Sequence, residues 1–195
     1  MLHLVLGGAR SGKSSFAEQV VVQQSAKADI IPIYIATAQP LDNEMQQRIA
    51  HHQALRVRQN WQLIECPLAL TTTLTELAPN AHVLIDCMTL WLSNQLSAVV
   101  SQLDSQEREP FDNNQKINEL LHAKVAELIE CLKQLCGNIT IVSNEIGLGV
   151  VPMGMEIRVF VDHQGWLNQQ LANIADQVTL VTAGLPMTLK GNAHG

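Results

Sequence analysis

The chain opens on a short apolar run, Leu2–Leu6, that passes directly into GGARSGKSS, Gly7 to Ser15. Gly7, Gly12, Lys13 and Ser14 satisfy G-x-x-x-x-G-K-[ST], with Gly8, Ala9, Arg10 and Ser11 between the glycines. Such a loop works in one setting, between a buried strand and a helix. Its glycines let the backbone curl until successive N–H groups converge on phosphate oxygens. The following helix adds its positive end. Lys13 would then reach the β- and γ-phosphates, and the Ser14 hydroxyl would ligate Mg²⁺. Motors, switches, kinases and nucleotidyl transferases all use this loop, so the loop alone does not choose among them.

The rest of the chain alternates strand and helix signals. Leu2–Leu6 reads as a buried strand and Lys13 to about Ala28 as a helix. Ile30–Ala36 reads as a strand in which Pro32 implies an edge position or a late start. Asp42 is placed to cap a helix running to about Arg58. Trp61–Glu65 reads as a short strand, Leu68–Leu77 as a helix closed by Pro79, Val83–Asp86 as a strand and Met88–Val100 as a helix. The polar stretch Ser101–Asn114, with Pro110 inside it, reads as a mobile loop. Gln115–Cys136 has helical periodicity and stops at Gly137. Ile139–Ser143 reads as a strand, Glu156–Asp176 as a mostly helical segment weakened by Gly165, and Val178–Thr182 as the last strand, before a fraying KGNAHG tail. The strands are runs of Val, Ile and Leu rather than alternating patterns. A mostly parallel sheet covered by helices on both faces follows, an α/β P-loop NTPase of RecA-like type. Ligands should gather at the carboxyl ends of its strands.

At 195 residues the chain reads as one domain, 1–195, and its 47% apolar content suits a folded globule. The net charge of −6, without a basic tail or stripe, argues against nucleic acid and anionic membrane as partners. Cys66, Cys87, Cys131 and Cys136 form no CxxC pair and read as reduced structural thiols of a cytoplasmic protein. No basic, apolar leader precedes the first strand, and no run approaches the roughly 20 apolar residues of a spanning helix.

Asp86 ends the apolar run Val83-Leu84-Ile85, where a strand-tip carboxylate could hold a metal or nucleotide; the alternative is a turn or helix-capping aspartate. Asn144 and Glu145 end Ile139–Ser143 in the same manner. In RIAHHQALRVR, Arg48 to Arg58, the residues Arg48, His52 and Arg56 recur every fourth position and share one helix face. Two guanidinium groups favour the neutral, nucleophilic imidazole and could hold phosphates. That makes His52 a possible phosphoryl or nucleotidyl acceptor, with His51 turned about 100° away. The competing reading is a solvated face carrying two surface histidines.

Together these motifs resemble the bifunctional adenosylcobinamide kinase / adenosylcobinamide-phosphate guanylyltransferase family of cobalamin biosynthesis. The resemblance rests on GGARSGKSSFAE, YIATAQPLDNEMQQRIAHHQALR, LIDCMTLWLSN, VSNEIGLGVVP and GWLNQQLANIADQV, in order from Leu4 to about Thr182. It implies two reactions. A nucleoside triphosphate, ATP or GTP, phosphorylates the aminopropanol hydroxyl of adenosylcobinamide. GTP then donates GMP to that phosphate through a GMP–histidine phosphoramidate, giving adenosylcobinamide-GDP and pyrophosphate.

Carried onto this chain, the resemblance makes His52 the guanylylated histidine and Lys13 the second catalytic residue. Nucleotide contacts fall on Gly7 to Ser14, on Ala36, Thr37 and Ala38, on Gln53, Ala54, Leu55 and Arg56, and on Glu65 and Asp86. Ser14 and Asp86 hold the Mg²⁺, Asp86 standing where many relatives carry glutamate. Arg158 and Asp162 match an Arg-x-x-x-Asp region with no assigned role. The resemblance also implies a homotrimer. Two other readings of the phosphate loop stand beside it, a kinase of another small molecule with an idle histidine pair, and a GTP-dependent switch.

Overall fold

The computed structural model describes residues 1–39, 60–104, 110–149 and 152–191. Seven strands form one sheet: β1 (Leu2–Gly7), β2 (Ile33–Ala36), β3 (Gln62–Glu65), β4 (His82–Asp86), β5 (Asn138–Asn144), β6 (Gln177–Thr182) and β7 (Leu185–Lys190), in the order β3-β2-β4-β5-β1-β6-β7. Every pairing is parallel except β6 with β7. The described helices are α1 (Lys13–Ala28), α2 (Leu70–Thr75), α3 (Met88–Asp104), α4 (Pro110–Gln134) and α5 (Met155–Ile174). This is the α/β P-loop architecture that the strand runs predict.

Because successive strand residues point to opposite faces, each apolar strand feeds two cores. Leu4, Ile35, Ile85 and Ile141 face one side, where Leu70, Trp91, Leu92, Leu128 and Leu171 of α2 to α5 cover them. Val5, Tyr34, Leu84 and Val142 face the other, against Ala17 and Val21 of α1. Burial on both faces explains why these strands lack alternation.

Of four sequence expectations, two are met and two are corrected. Pro32 marks a late start, since β2 begins at Ile33, but β2 is interior, between β3 and β4. Both β2 ladders begin at Ile33, after the proline, and the Pro32 carbonyl accepts from Gln62 N. Most of the expected loop 101–114 is helical. α3 runs on to Asp104, and α4 begins at Pro110, where a first-turn proline needs no N–H donor. Gly165 does not interrupt α5. Finally, Val178–Thr182 is not the last strand. Ala183 and Gly184, both at positive φ (51° and 79°), make a tight two-residue hairpin into β7. The helix expected after Asp42 lies outside the described residues, as does most of the tail.

Candidate nucleotide site

The phosphate loop leaves β1 at Gly7. A Cβ there would come within 2.5 Å of both Ser11 Oγ and the Val181 carbonyl, so the tight curl requires glycine. Arg10 (φ 58°) and Gly12 (φ 94°) are both left-handed, the backbone state that turns consecutive N–H groups toward a common centre. α1 starts at Lys13 directly behind them. The β6–β7 turn supports the loop from outside, with Gly184 N donating to Ser11 O over 2.8 Å. Lys13 is buried and its Nζ donates to Gly8 O at 3.3 Å, curled over its own loop. The Ser11 hydroxyl is buried without a hydrogen-bond partner among the described residues.

Asp86 ends β4, half-buried, and its Oδ2 accepts from the Tyr34 hydroxyl at 2.6 Å. Tyr34 is itself fixed edge-to-face on Trp61, ring centres 5.7 Å apart. Burial first, and the Asp86 charge second, push the Cys87 thiol up to about 11. At neutral pH it is a protonated, inert packing group.

Thr37 has a role the sequence did not reveal. It is wholly buried, its hydroxyl donates to Cys87 O (2.7 Å) and accepts from Cys87 N (2.8 Å), and its own N–H donates to Asp86 O (3.1 Å). Asn94 Nδ2 donates to the Thr37 carbonyl. Thr37 therefore locks the tip of β2 onto the tip of β4 and sets where Asp86 stands. Its side chain is not presented to a ligand.

The carboxyl rim of the sheet collects most of the remaining sequence-predicted positions. From one edge inward come Glu65 on β3, Ala36–Ala38 at the end of β2, Asp86 on β4, Asn144 ending β5 with Glu145 just after it, and Gly7 on β1. Glu65 is exposed, while Ala36 and Ala38 are half-buried. His51, His52, Arg48, Arg56, Gln53, Ala54 and Leu55 lie outside the described residues. Arg158 Nη1 donates to the carbonyls of Pro152 and Met153 and so tethers the segment before α5.

Sequence reasoning missed the polar network behind Glu145. Asn168 Nδ2 donates to Glu145 Oε1 (2.8 Å) and to the Asn144 carbonyl (3.1 Å). Its Oδ1 accepts from Ser143 Oγ (2.7 Å) and Gln164 Nε2 (3.0 Å). The available signal was two amide side chains one helical turn apart, Gln164 and Asn168, on an otherwise apolar helix face.

The donor set at Ser14 and Asp86 is hard oxygen. Among the described residues Asp86 accepts a hydrogen bond only at Oδ2, and the Ser14 hydroxyl has no partner. Among those residues no cluster of three or more His, Cys, Asp or Glu is disposed to hold a metal. A hydroxyl and a carboxylate, with phosphates and water supplying the other ligands, is the coordination Mg²⁺ takes beside nucleotides.

Residues 3–189 match the family described as cobinamide kinase / cobinamide phosphate guanyltransferase. The chain is 45% identical over 192 residues to the bifunctional adenosylcobalamin biosynthesis protein CobP of Pseudomonas aeruginosa, covering 98% of each chain. It is 36% identical over 191 residues to the corresponding CobU protein of Salmonella typhimurium, covering 97% of this chain and 100% of the relative. Among solved structures, a KaiC-like protein of Pyrococcus horikoshii aligns with 92% of this chain and 69% of its own at 14% identity and a TM-score of 0.43.

Proposed function

The chain belongs to the cobinamide kinase / cobinamide phosphate guanyltransferase family, and we propose that it performs both reactions at the carboxyl rim described above. The observation that carries this reading is the joining of a phosphate loop and Asp86 on one rim, in a chain related to bifunctional proteins over nearly its full length.

In the first reaction the acceptor hydroxyl of adenosylcobinamide attacks the γ-phosphorus of a bound nucleoside triphosphate, and the nucleoside diphosphate leaves. The converging N–H groups from Gly8 to Ser14 and the Lys13 ammonium offset the charge on the phosphates. In the second, the neutral His52 imidazole attacks the α-phosphorus of GTP and pyrophosphate leaves. The cobinamide phosphate then takes the GMP from the ring, restoring His52. Arg48 and Arg56 are the charges available to bring two anions together. The roles of His52 and its arginines rest on the sequence resemblance.

Ser14 and Asp86 would hold Mg²⁺ beside the phosphates, where it neutralises negative charge. Nucleotide contacts at Ala36, Ala38, Gln53 to Arg56 and Glu65 belong to the same reading. We further infer a cytoplasmic protein, which its four free cysteines support. No described helix is long and apolar enough to cross a membrane. A homotrimer is inferred from the resemblance alone.

The test is covalent labelling. Incubated with GTP and Mg²⁺ and then denatured, the protein should retain label from the α-phosphate but not from the γ-phosphate. The bond should be acid-labile and base-stable, as a phosphoramidate is. A protein that takes no label, yet phosphorylates another small molecule, would replace this reading with that of a simple kinase.

A further inference from the structure

We propose that Glu145 takes the proton from the acceptor hydroxyl in the phosphoryl-transfer step, with Asn168 as the positioning residue that aims it. This rests on the kinase half of the proposed function.

The placement comes from the sheet. β5 is the strand between β1 and β4, with Gly7 opposite Asn144 and Asp86 opposite Val142. Glu145 is the next residue, and its N–H donates to the Gly7 carbonyl at 3.2 Å. It therefore stands beside the start of the phosphate loop, one strand spacing of about 4.8 Å from β1, and three residues beyond Val142, which lies opposite Asp86 on the neighbouring strand. Glu65, the other glutamate at a strand tip, is four spacings from β1, or about 19 Å, too far to serve a γ-phosphate held by Lys13. Asp86 already receives the Tyr34 hydroxyl and carries the proposed metal.

The carboxylate is held in a particular way. Its Oε1 accepts one neutral amide bond from Asn168, and it joins no ion pair with Lys or Arg among the described residues. Asn168 is 5% exposed and completely committed: Nδ2 goes to Glu145 and the Asn144 carbonyl, Oδ1 to Ser143 and Gln164. Gln164 also donates to Ser143 Oγ at 2.8 Å, and both are buried. Three buried polar side chains thus fix one half-exposed carboxylate without neutralising it. Folding alone has no need of this, since buried polar groups each carry a desolvation cost. Beside it, Asn144 Oδ1 is buried with no partner among the described residues, a second acceptor at the same strand tip.

The chemistry balances simply. The hydroxyl oxygen forms its bond to the γ-phosphorus as the bond from that phosphorus to the β,γ-bridging oxygen breaks. The nucleoside diphosphate keeps the electron pair. The hydroxyl proton passes to Glu145 and from there to water.

The experiment compares wild type, Glu145→Gln, Glu145→Asp and Asn168→Ala in two assays across pH: phosphorylation of cobinamide, and GMP transfer to supplied cobinamide phosphate. Glu145→Gln preserves the shape and can still accept from Asn168. Its phosphorylation kcat should fall on the order of 10²-fold, with nucleotide KM little changed and the acidic limb of the pH profile lost. Glu145→Asp should keep that limb at reduced rate, and Asn168→Ala should lower kcat more than it raises KM. GMP transfer by Glu145→Gln should stay within a fewfold of wild type, which also reports that the variant is folded. Phosphorylation by Glu145→Gln near the wild-type rate, or parallel loss of both activities, overturns the assignment. A wild-type protein that transfers GMP but never phosphorylates cobinamide overturns the kinase reading, and this inference with it.

Discussion

The Tyr34 hydroxyl lies 2.6 Å from Asp86 Oδ2, so an aromatic residue of β2 orients the carboxylate at the tip of β4. With Oδ2 held, no hydrogen bond to Oδ1 is seen among the described residues. Tyr34→Phe removes this bond and leaves the ring packed on Trp61. Both activities should then require more Mg²⁺ for half-maximal rate, by about fivefold for the roughly 1 kcal/mol of one hydrogen bond. Titrating Mg²⁺ at saturating nucleotide measures the shift. An unchanged Mg²⁺ requirement would remove Asp86 from the metal site.

His52→Ala should abolish both the covalent GMP label and transfer to cobinamide phosphate, while phosphorylation survives in part. His51→Ala should keep the label. Lys13→Ala, by contrast, should depress both reactions by about 10²–10³-fold, since the same cation serves the phosphates in each. Equal loss of both activities in His52→Ala would overturn the assignment of His52 to the GMP-transfer step alone.

Gly7→Ala places a methyl 2.5 Å from Ser11 Oγ and from the Val181 carbonyl, a backbone atom with no room to retreat. We expect a loss of about 1–3 kcal/mol, each kcal/mol lowering Tm by roughly 2–4 °C. Gly8→Ala meets nothing within 4 Å and should stay within about 0.5 kcal/mol. Thermal melts of the two variants side by side test the argument.

Cys87 remains a thiol up to about pH 11 in the folded chain, against an ordinary value of 9.0. Iodoacetamide at pH 8 should therefore modify exposed Cys136 and spare Cys87. The sign of the linkage also follows. Between about pH 9 and 11 the unfolded thiol ionises and the folded one does not, so this stability is complete below pH 9 and drains away as pH rises toward 11. A Cys87→Ala variant should show a smaller alkaline loss of stability.

Much of this molecule was legible because its signals are local. The phosphate loop is a contiguous motif, and doubly buried strands announce themselves as runs such as Val83-Leu84-Ile85. What escaped depends on partners distant in sequence. Thr37 reads as a ligand contact until Cys87 and Asn94 are seen to consume its polar groups. Glu145 had no evident role until α5 brought Asn168 to it, 23 residues along the chain. Pro186 and a polar surrounding hid β7, although Ala183-Gly184 followed by Leu185, Met187 and Leu189 at every second position was a readable hairpin signal.

The phosphate loop and the turn that braces it, Ala183–Gly184, are far apart in sequence and meet through Gly184 N and Ser11 O. The segment Gly7–Ser14 thus carries the whole sequence motif but borrows one wall of its curl from β6 and the turn after it. Disturbing the β6–β7 hairpin should therefore loosen the curl of the phosphate loop without touching any residue of the loop itself.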